Sequence, residues 1–235
     1  MTLKTFLAGI ALTFGLAWLA MIAVPVATMG HRPVVKMSDA EDAPYYQHNV
    51  SGRLLNGAEI YQNNGCANCH TQVVRPAYAG NDILRKDPTA TDDSAPLRET
   101  AVHDFDGEAF ANIGRQRIGP DLSNFGIRAE AYAANAKMSS EQWVIEHLNN
   151  PRNGNLHLDA DGQPTDMSWS KCPAQHQMFD EVNVQAQLGG FTVTRDDSEV
   201  YQPAEDAHVL TSYLLSLKRN EELPPALSNL PEPVE

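Results

Sequence analysis

The sequence predicts a mainly α protein: one apolar helix at the N-terminus, then a helical domain with long loop insertions and one minor β-hairpin. Three observations lead there. Residues Thr5 to Gly30 carry no charged side chain. Near the C-terminus, Leu210, Tyr213, Leu214 and Leu217 fall at i, i+3, i+4 and i+7, the spacing of one buried helical stripe. Between these lie stretches rich in Asp, Thr, Pro and Gly, which favour turns over regular elements.

The N-terminal run, TFLAGIALTFGLAWLAMIAVPVATMG, is long enough to cross a bilayer, for which a helix needs about 20 residues. A secretory signal has an apolar stretch of about 7–15 residues, and a cut after Ala27 would put Pro25 in an unfavourable place. An uncleaved anchor over residues 1–30 is therefore preferred. Flanking charge does not orient it, because Lys4 faces Arg32 and Lys36 across the run.

Residues 31–52 are polar and form a linker. A domain is expected over 53–220, with insertions at 77–112 and 153–200, followed by an extended tail at 221–235 that holds four prolines. A helix is expected from about Leu54 to Asn64, with Gly57 and Tyr61 on one face. Ser139-x-x-Gln142 is a capping-box pattern opening a helix through about Asn149, which Pro151 stops. Val182-x-Val184 and Phe191-x-Val193, joined across Gly189-Gly190, suggest the hairpin. The last helix should run from about Glu205 to Lys218, acidic at its start and basic at its end, as the helix dipole prefers. Asp159 and Asp161 before Gly162 do not match a calcium loop, because the glycine comes too early and no closing Glu follows.

The formal charge of -13 excludes a nucleic-acid binder, which needs Lys and Arg against phosphates. Three cysteines, Cys66, Cys69 and Cys172, cannot make a disulfide framework. Two of them belong to Cys66-Ala67-Asn68-Cys69-His70, the C-x-x-C-H attachment sequence for a c-type haem. Two thiols at this spacing can each form a thioether to one haem vinyl group, and the adjacent imidazole then meets the iron. A redox dithiol expects a βαβ context that is not visible, and a zinc site expects a second ligand pair. One covalent haem c is the expected cofactor.

The helix leading into Gly65-Cys66-x-x-Cys69-His70, then Gly119-Pro120-Asp121-Leu122, then the helix with Leu210-x-x-Tyr213-Leu214, resembles a class I cytochrome c. The chain is similar, over roughly residues 5–180, to the mono-haem membrane-anchored subunit (subunit II) of cbb(3)-type cytochrome c oxidases. The matching series is Gln72-Val73-Val74-Arg75-Pro76, Arg117 to Leu122, and His147 to Arg152. The resemblance implies that the Pro120 carbonyl accepts a proton from His70, and that Arg75, Arg117 and Arg152 pair with haem propionates. It implies that Gly57, Tyr61, Leu210 and Tyr213 join the first and last helices of the domain. Trp143 and His147 are expected to pack rather than to relay electrons or ligate. Apolar clusters are few, so the porphyrin itself is expected to form much of the core.

The resemblance also implies a methionine as second axial ligand, in a Ser-x-Met-Pro segment. Here the corresponding residues are Ser170-Lys171-Cys172-Pro173. Met178 is the preferred ligand, if the loop is re-routed; Cys172 as a thiolate, then His176, Met167 or an open site, are the alternatives. The implied function is non-catalytic electron transfer, from a donor cytochrome c to the haem–copper catalytic subunit, among other oxidase subunits. The implied place is the inner membrane, single-pass, with the haem domain in the periplasm. A free-standing anchored cytochrome c is the alternative.

Overall fold

Two units make up the computed structural model: residues 1–47 with 224–227, and residues 48–223 with 228–235. The residues described are 2–29, 36–38, 40–43, 50–80, 82, 98–105, 107–159, 161–181, 192–194, 200–220 and 223–224.

In the first unit, α1 (Leu3–Trp18) runs through a π turn (Leu19–Ala23) into α2 (Val24–Met29). Thr2 caps it, its hydroxyl accepting from the Thr5 N–H. The π turn has a local cause. Pro25 has no N–H and its ring would crowd a carbonyl four residues back, so widening the preceding turn accommodates it. The apolar helix spans Leu3–Thr28, 26 residues, and is long and apolar enough to cross a membrane. At 1.5 Å per residue it extends about 39 Å, against a hydrocarbon core of roughly 30 Å.

The second unit is mainly helical: α3 (Gly52–Asn63), α4 (Phe125–Asn135), α5 (Ser140–Asn149) and α6 (Glu205–Ser216). α3 and α6 meet along Gly57, Tyr61 and Tyr213, with the two tyrosine rings 5.7 Å apart. Ser139 caps α5 as its pattern indicates, its Oγ accepting from the Gln142 N–H at 3.1 Å. α4 has no counterpart in the sequence expectations. Its buried face is made of Gly126, Ala129 and Ala133, too small to register as an apolar stripe. That smallness is its function: a β-carbon on Gly126 would lie 2.2 Å from the Leu215 carbonyl oxygen. α4 ends in a Schellman motif, with Lys137 N–H to Ala134 O at 3.1 Å and Met138 N–H to Ala133 O at 3.0 Å. Lys137 itself sits at φ 58°, where a glycine would be at ease.

The polypeptide contributes an apolar core cluster of its own. Trp143 is at its centre, stacked on Tyr132 (5.2 Å) and beside Phe125 (6.2 Å), with Ile145, Leu156 and Leu210 fully buried nearby in the same cluster. These side chains come from well-separated segments, so no local apolar run announces them. Trp143 Nε1 donates to the Leu156 carbonyl at 2.8 Å, a packing role.

The small sheet also differs from expectation. β1 (Phe179–Glu181) and β2 (Val193–Thr194) each pair antiparallel with β3 (Val200–Pro203), in the order β1-β3-β2. Val182, Val184 and Gly189 to Phe191 of the expected hairpin lie outside the described residues. Val193 pairs with Tyr201 of β3, a strand the hydropathy alternation does not reveal. The expected basic end of α6 is changed too. The helix stops at Ser216, Lys218 pairs with Glu130, and Arg219 is buried against Glu108 and 4.3 Å from the centre of the Phe105 ring.

Candidate functional site

The C-x-x-C-H segment begins where α3 ends. Gly65, at φ 73°, reverses the chain in the left-handed region open to glycine. A 3₁₀ turn follows over Cys66–Asn68; the N–H groups of Cys69 and His70 donate to the Cys66 carbonyl at 3.1 and 3.0 Å. Both thiols therefore belong to one turn, and His70 leaves it at once. All three cysteines are free thiols.

His70 Nδ1 donates to the Pro120 carbonyl at 2.8 Å. A carbonyl only accepts, so Nδ1 carries the proton and Nε2 keeps a lone pair for a metal. Two glycines let the backbone approach this closely. A β-carbon on Gly119 would lie 2.2 Å from His70 Cε1, and one on Gly114 would lie 2.1 Å from the His70 carbonyl oxygen. Burial lowers the His70 pKa, which favours the neutral, ligating imidazole.

The segment 67–72 and the segment 113–122 run side by side. Arg115 N–H bonds Ala67 O at 2.9 Å, Gln72 N–H bonds Ile113 O at 3.0 Å, and Leu122 N–H bonds Thr71 O at 2.7 Å. Asp121 seals the seam, accepting from Thr71 Oγ1 (2.6 Å) and the Val73 N–H (2.8 Å). Gln72 is fully buried, and Tyr213 of α6 donates to its Oε1 at 3.1 Å.

Two of the three arginines that the resemblance pairs with propionates converge on one carboxylate of the chain. Arg117 has every donor engaged within the protein: Nε to Thr71 Oγ1, one terminal nitrogen to both oxygens of Asp82, the other to Val73 O and Asp121. It has no donor left for a propionate. Arg75 grips the same carboxylate, through Nε at 3.0 Å and Nη2 at 2.9 Å. Asp82 is the carboxylate that the sequence expectations miss, a loop residue with no local motif. Burial raises its pKa, but hydrogen bonds from Arg75 and Arg117 outweigh that and hold it well below the ordinary range. Arg152 donates from Nε to the Ser170 carbonyl at 3.1 Å.

The candidates for the second axial position are spread apart. Met178, at 2% exposure, is part of the closed apolar core, and His176 is exposed. Cys172 is half-buried. Burial pushes the Cys66 thiol up to about 11, and the nearby Cys172 and Cys69 add to the effect. The Cys172 thiol is raised by burial and by Cys69, and opposed by Arg152.

A histidine pair completes the neighbourhood. His147 stacks on Trp143 at 5.2 Å and 8°, and meets His157 edge-on at 5.6 Å. Its Nδ1 and the Nε2 of His157 are buried with no hydrogen-bond partner among the described residues. Burial, then the neighbouring His157 and His70, push the His147 pKa down to about 3. The aromatic packing matches the structural role expected of His147; the pairing with His157 has no sequence signature.

Two thiols on one turn, an imidazole with its far nitrogen protonated and its near nitrogen open, and two glycines cradling it suit a covalently attached haem. No family model and no curated protein matches the chain.

Proposed function

We propose that this chain is a membrane-anchored one-electron carrier with a class I cytochrome c-like domain, holding one haem c through Cys66, Cys69 and His70. The observation that carries this reading is the His70–Pro120 hydrogen bond, made by the residue that directly follows a turn bearing both thiols. When bound, a haem c supplies a reversible one-electron couple. The thiols of Cys66 and Cys69 would hold it at two points, and His70 Nε2 would ligate the iron. Pro120 keeps the proton on Nδ1, which fixes the ring and strengthens Nε2 as a donor. Asp121 and the Arg75–Asp82–Arg117 cluster hold the segment bearing Pro120 against the segment bearing His70. Arg152, with its terminal nitrogens on an exposed side chain, is the arginine best suited to a propionate. This reading gives the chain electron transfer and assigns it no bond chemistry of its own.

The resemblance to the mono-haem subunit of cbb(3)-type oxidases supports a place in such a complex, between a donor cytochrome c and the haem–copper catalytic subunit. Covalent haem attachment at this motif takes place outside the cytoplasmic membrane. The domain therefore belongs in the periplasm, with Leu3–Thr28 as a single-pass anchor in the inner membrane.

Expression of the full chain in a host competent for haem attachment tests the carrier reading. The expected result is a polypeptide mass increased by one haem, a Soret band, and loss of both in Cys66→Ala/Cys69→Ala. The bare polypeptide mass in the wild type would overturn it. Detergent co-purification with a haem–copper core tests the oxidase assignment; isolation without one would make the chain a free-standing anchored cytochrome c.

A further inference from the structure

The His70–Pro120 hydrogen bond joins two irregular segments. On the Pro120 side, Asn112 and Leu122 are buried, while Ile113 and Ile118 between them are 51% and 59% exposed. Core packing therefore fixes the ends of this segment, and polar bonds must fix its middle. Those bonds converge on the residues next to the pair. Thr71 follows His70 and Asp121 follows Pro120, and the Thr71 hydroxyl donates to Asp121 Oδ2 at 2.6 Å. The same oxygen accepts from the Val73 N–H at 2.8 Å, and Oδ1 accepts from the Ser123 N–H at 2.9 Å. One carboxylate thus takes donors from both segments. Arg117 Nε donates to Thr71 Oγ1 at 2.6 Å, which leaves the hydroxyl hydrogen free to point at Asp121. Arg117 Nη2 lies 3.3 Å from Asp121 Oδ2. Arg75, Arg117, Asp82 and Asp121 form one ion-paired group of two cations and two anions. The Asp121 charge is therefore offset within the protein, and its geometry is left as its main influence on its surroundings.

We infer that Asp121 is a positioning residue for the proximal ligand: acting through Thr71, it holds the Pro120 carbonyl on His70 Nδ1 and so lowers the reduction potential of the haem. The inference rests on the haem reading above. A hydrogen bond from Nδ1 makes Nε2 a stronger donor, and a stronger donor favours ferric over ferrous iron. Without the Thr71–Asp121 bond, Pro120 is free to move off His70, that effect weakens and the potential rises.

The test uses the full chain in detergent, matured with haem, as wild type, Thr71→Val, Thr71→Ser and Asp121→Asn. Two quantities are read: the midpoint potential, and the exchange of the His70 Nδ1 proton with deuterium, followed by NMR in the reduced protein. Thr71→Val keeps the shape and the Asp121 charge but removes the hydroxyl. It should raise the potential and speed the exchange about tenfold, as loss of one ordinary hydrogen bond would. Thr71→Ser restores the hydroxyl and should return both to wild-type values. Asp121→Asn, with one acceptor oxygen and no charge, should raise both as well. A Thr71→Val protein that melts earlier but keeps the wild-type potential and exchange overturns the inference, because the bond is then merely structural. A potential that rises in Asp121→Asn alone overturns it too, because charge and not position is then the cause. Should Thr71→Val fail to mature, exchange in Asp121→Asn decides: faster supports the inference, unchanged overturns it. A wild type without haem overturns the carrier reading as well.

Discussion

Gly57 of α3 lies directly against Tyr213 of α6: a β-carbon on Gly57 would fall 2.5 Å from Tyr213 Cβ and 2.7 Å from the Val209 carbonyl oxygen. Neither atom is the free end of a flexible side chain, so the helices would have to separate. Gly57→Ala should therefore destabilise the protein by about 1–3 kcal/mol, although alanine is the better helix former. Gly52→Ala, where a β-carbon meets nothing within 4 Å, is the control and should be neutral or mildly stabilising. Thermal melts of the pair check this; equal midpoints would remove the helix contact from the account.

Lys137 holds the left-handed position of the Schellman motif that ends α4. Its side chain is exposed, so little packing is at stake. Lys137→Gly should stabilise by about 1 kcal/mol, because glycine removes the steric cost of positive φ. Denaturant midpoints at unchanged slope are the measurement.

Asp82 joins Arg75 and Arg117, and Arg117 is only 17% exposed. Asp82→Asn leaves that guanidinium without its main counter-charge and should cost about 2 kcal/mol at neutral pH, less than for a fully buried pair because Arg75 reaches solvent. The Asp82 pKa is depressed in the folded state, so its contribution is present above the ordinary carboxylate value of 3.8 and is lost as pH falls below it. The gap between wild type and variant should therefore close in acid. A gap that stays constant down to strongly acid pH would show that charge is not its source.

His147 works in a different pH window. Its pKa drops from 6.5 to about 3 on folding, chiefly through burial. The unfolded chain takes up a proton there that the folded chain refuses, so stability falls as pH drops below 6.5 and levels off near 3. At about 1.4 kcal/mol per unit, the penalty reaches a few kcal/mol. His147→Phe keeps a ring on Trp143 and should flatten the stability profile between those values; part of the slope will remain, since His157 is lowered too. Urea unfolding at a series of pH values gives the comparison.

What was legible in the sequence is what covalent spacing sets. Cys66 and Cys69 share a turn because they lie three positions apart, and His70 is carried with them. Ser139 caps α5 because its hydroxyl reaches the N–H three residues on. Leu210, Tyr213 and Leu214 face inward because helical periodicity puts them on one side. The N-terminal span follows from apolar composition alone.

The tertiary structure decided everything that depends on segments distant in the chain. Asp82 meets Arg117 across 35 positions and Arg219 meets Gln72 across 147, with no local pattern to mark either contact. α4 escaped notice because its buried face is glycine and alanine, chosen for close approach and not for hydrophobicity. Met178 and Cys172 are both sulfur donors at plausible loop positions, and their sequence neighbours do not rank them. Their environments differ in the fold: Met178 is buried in the apolar core, and Cys172 is half-buried on its loop.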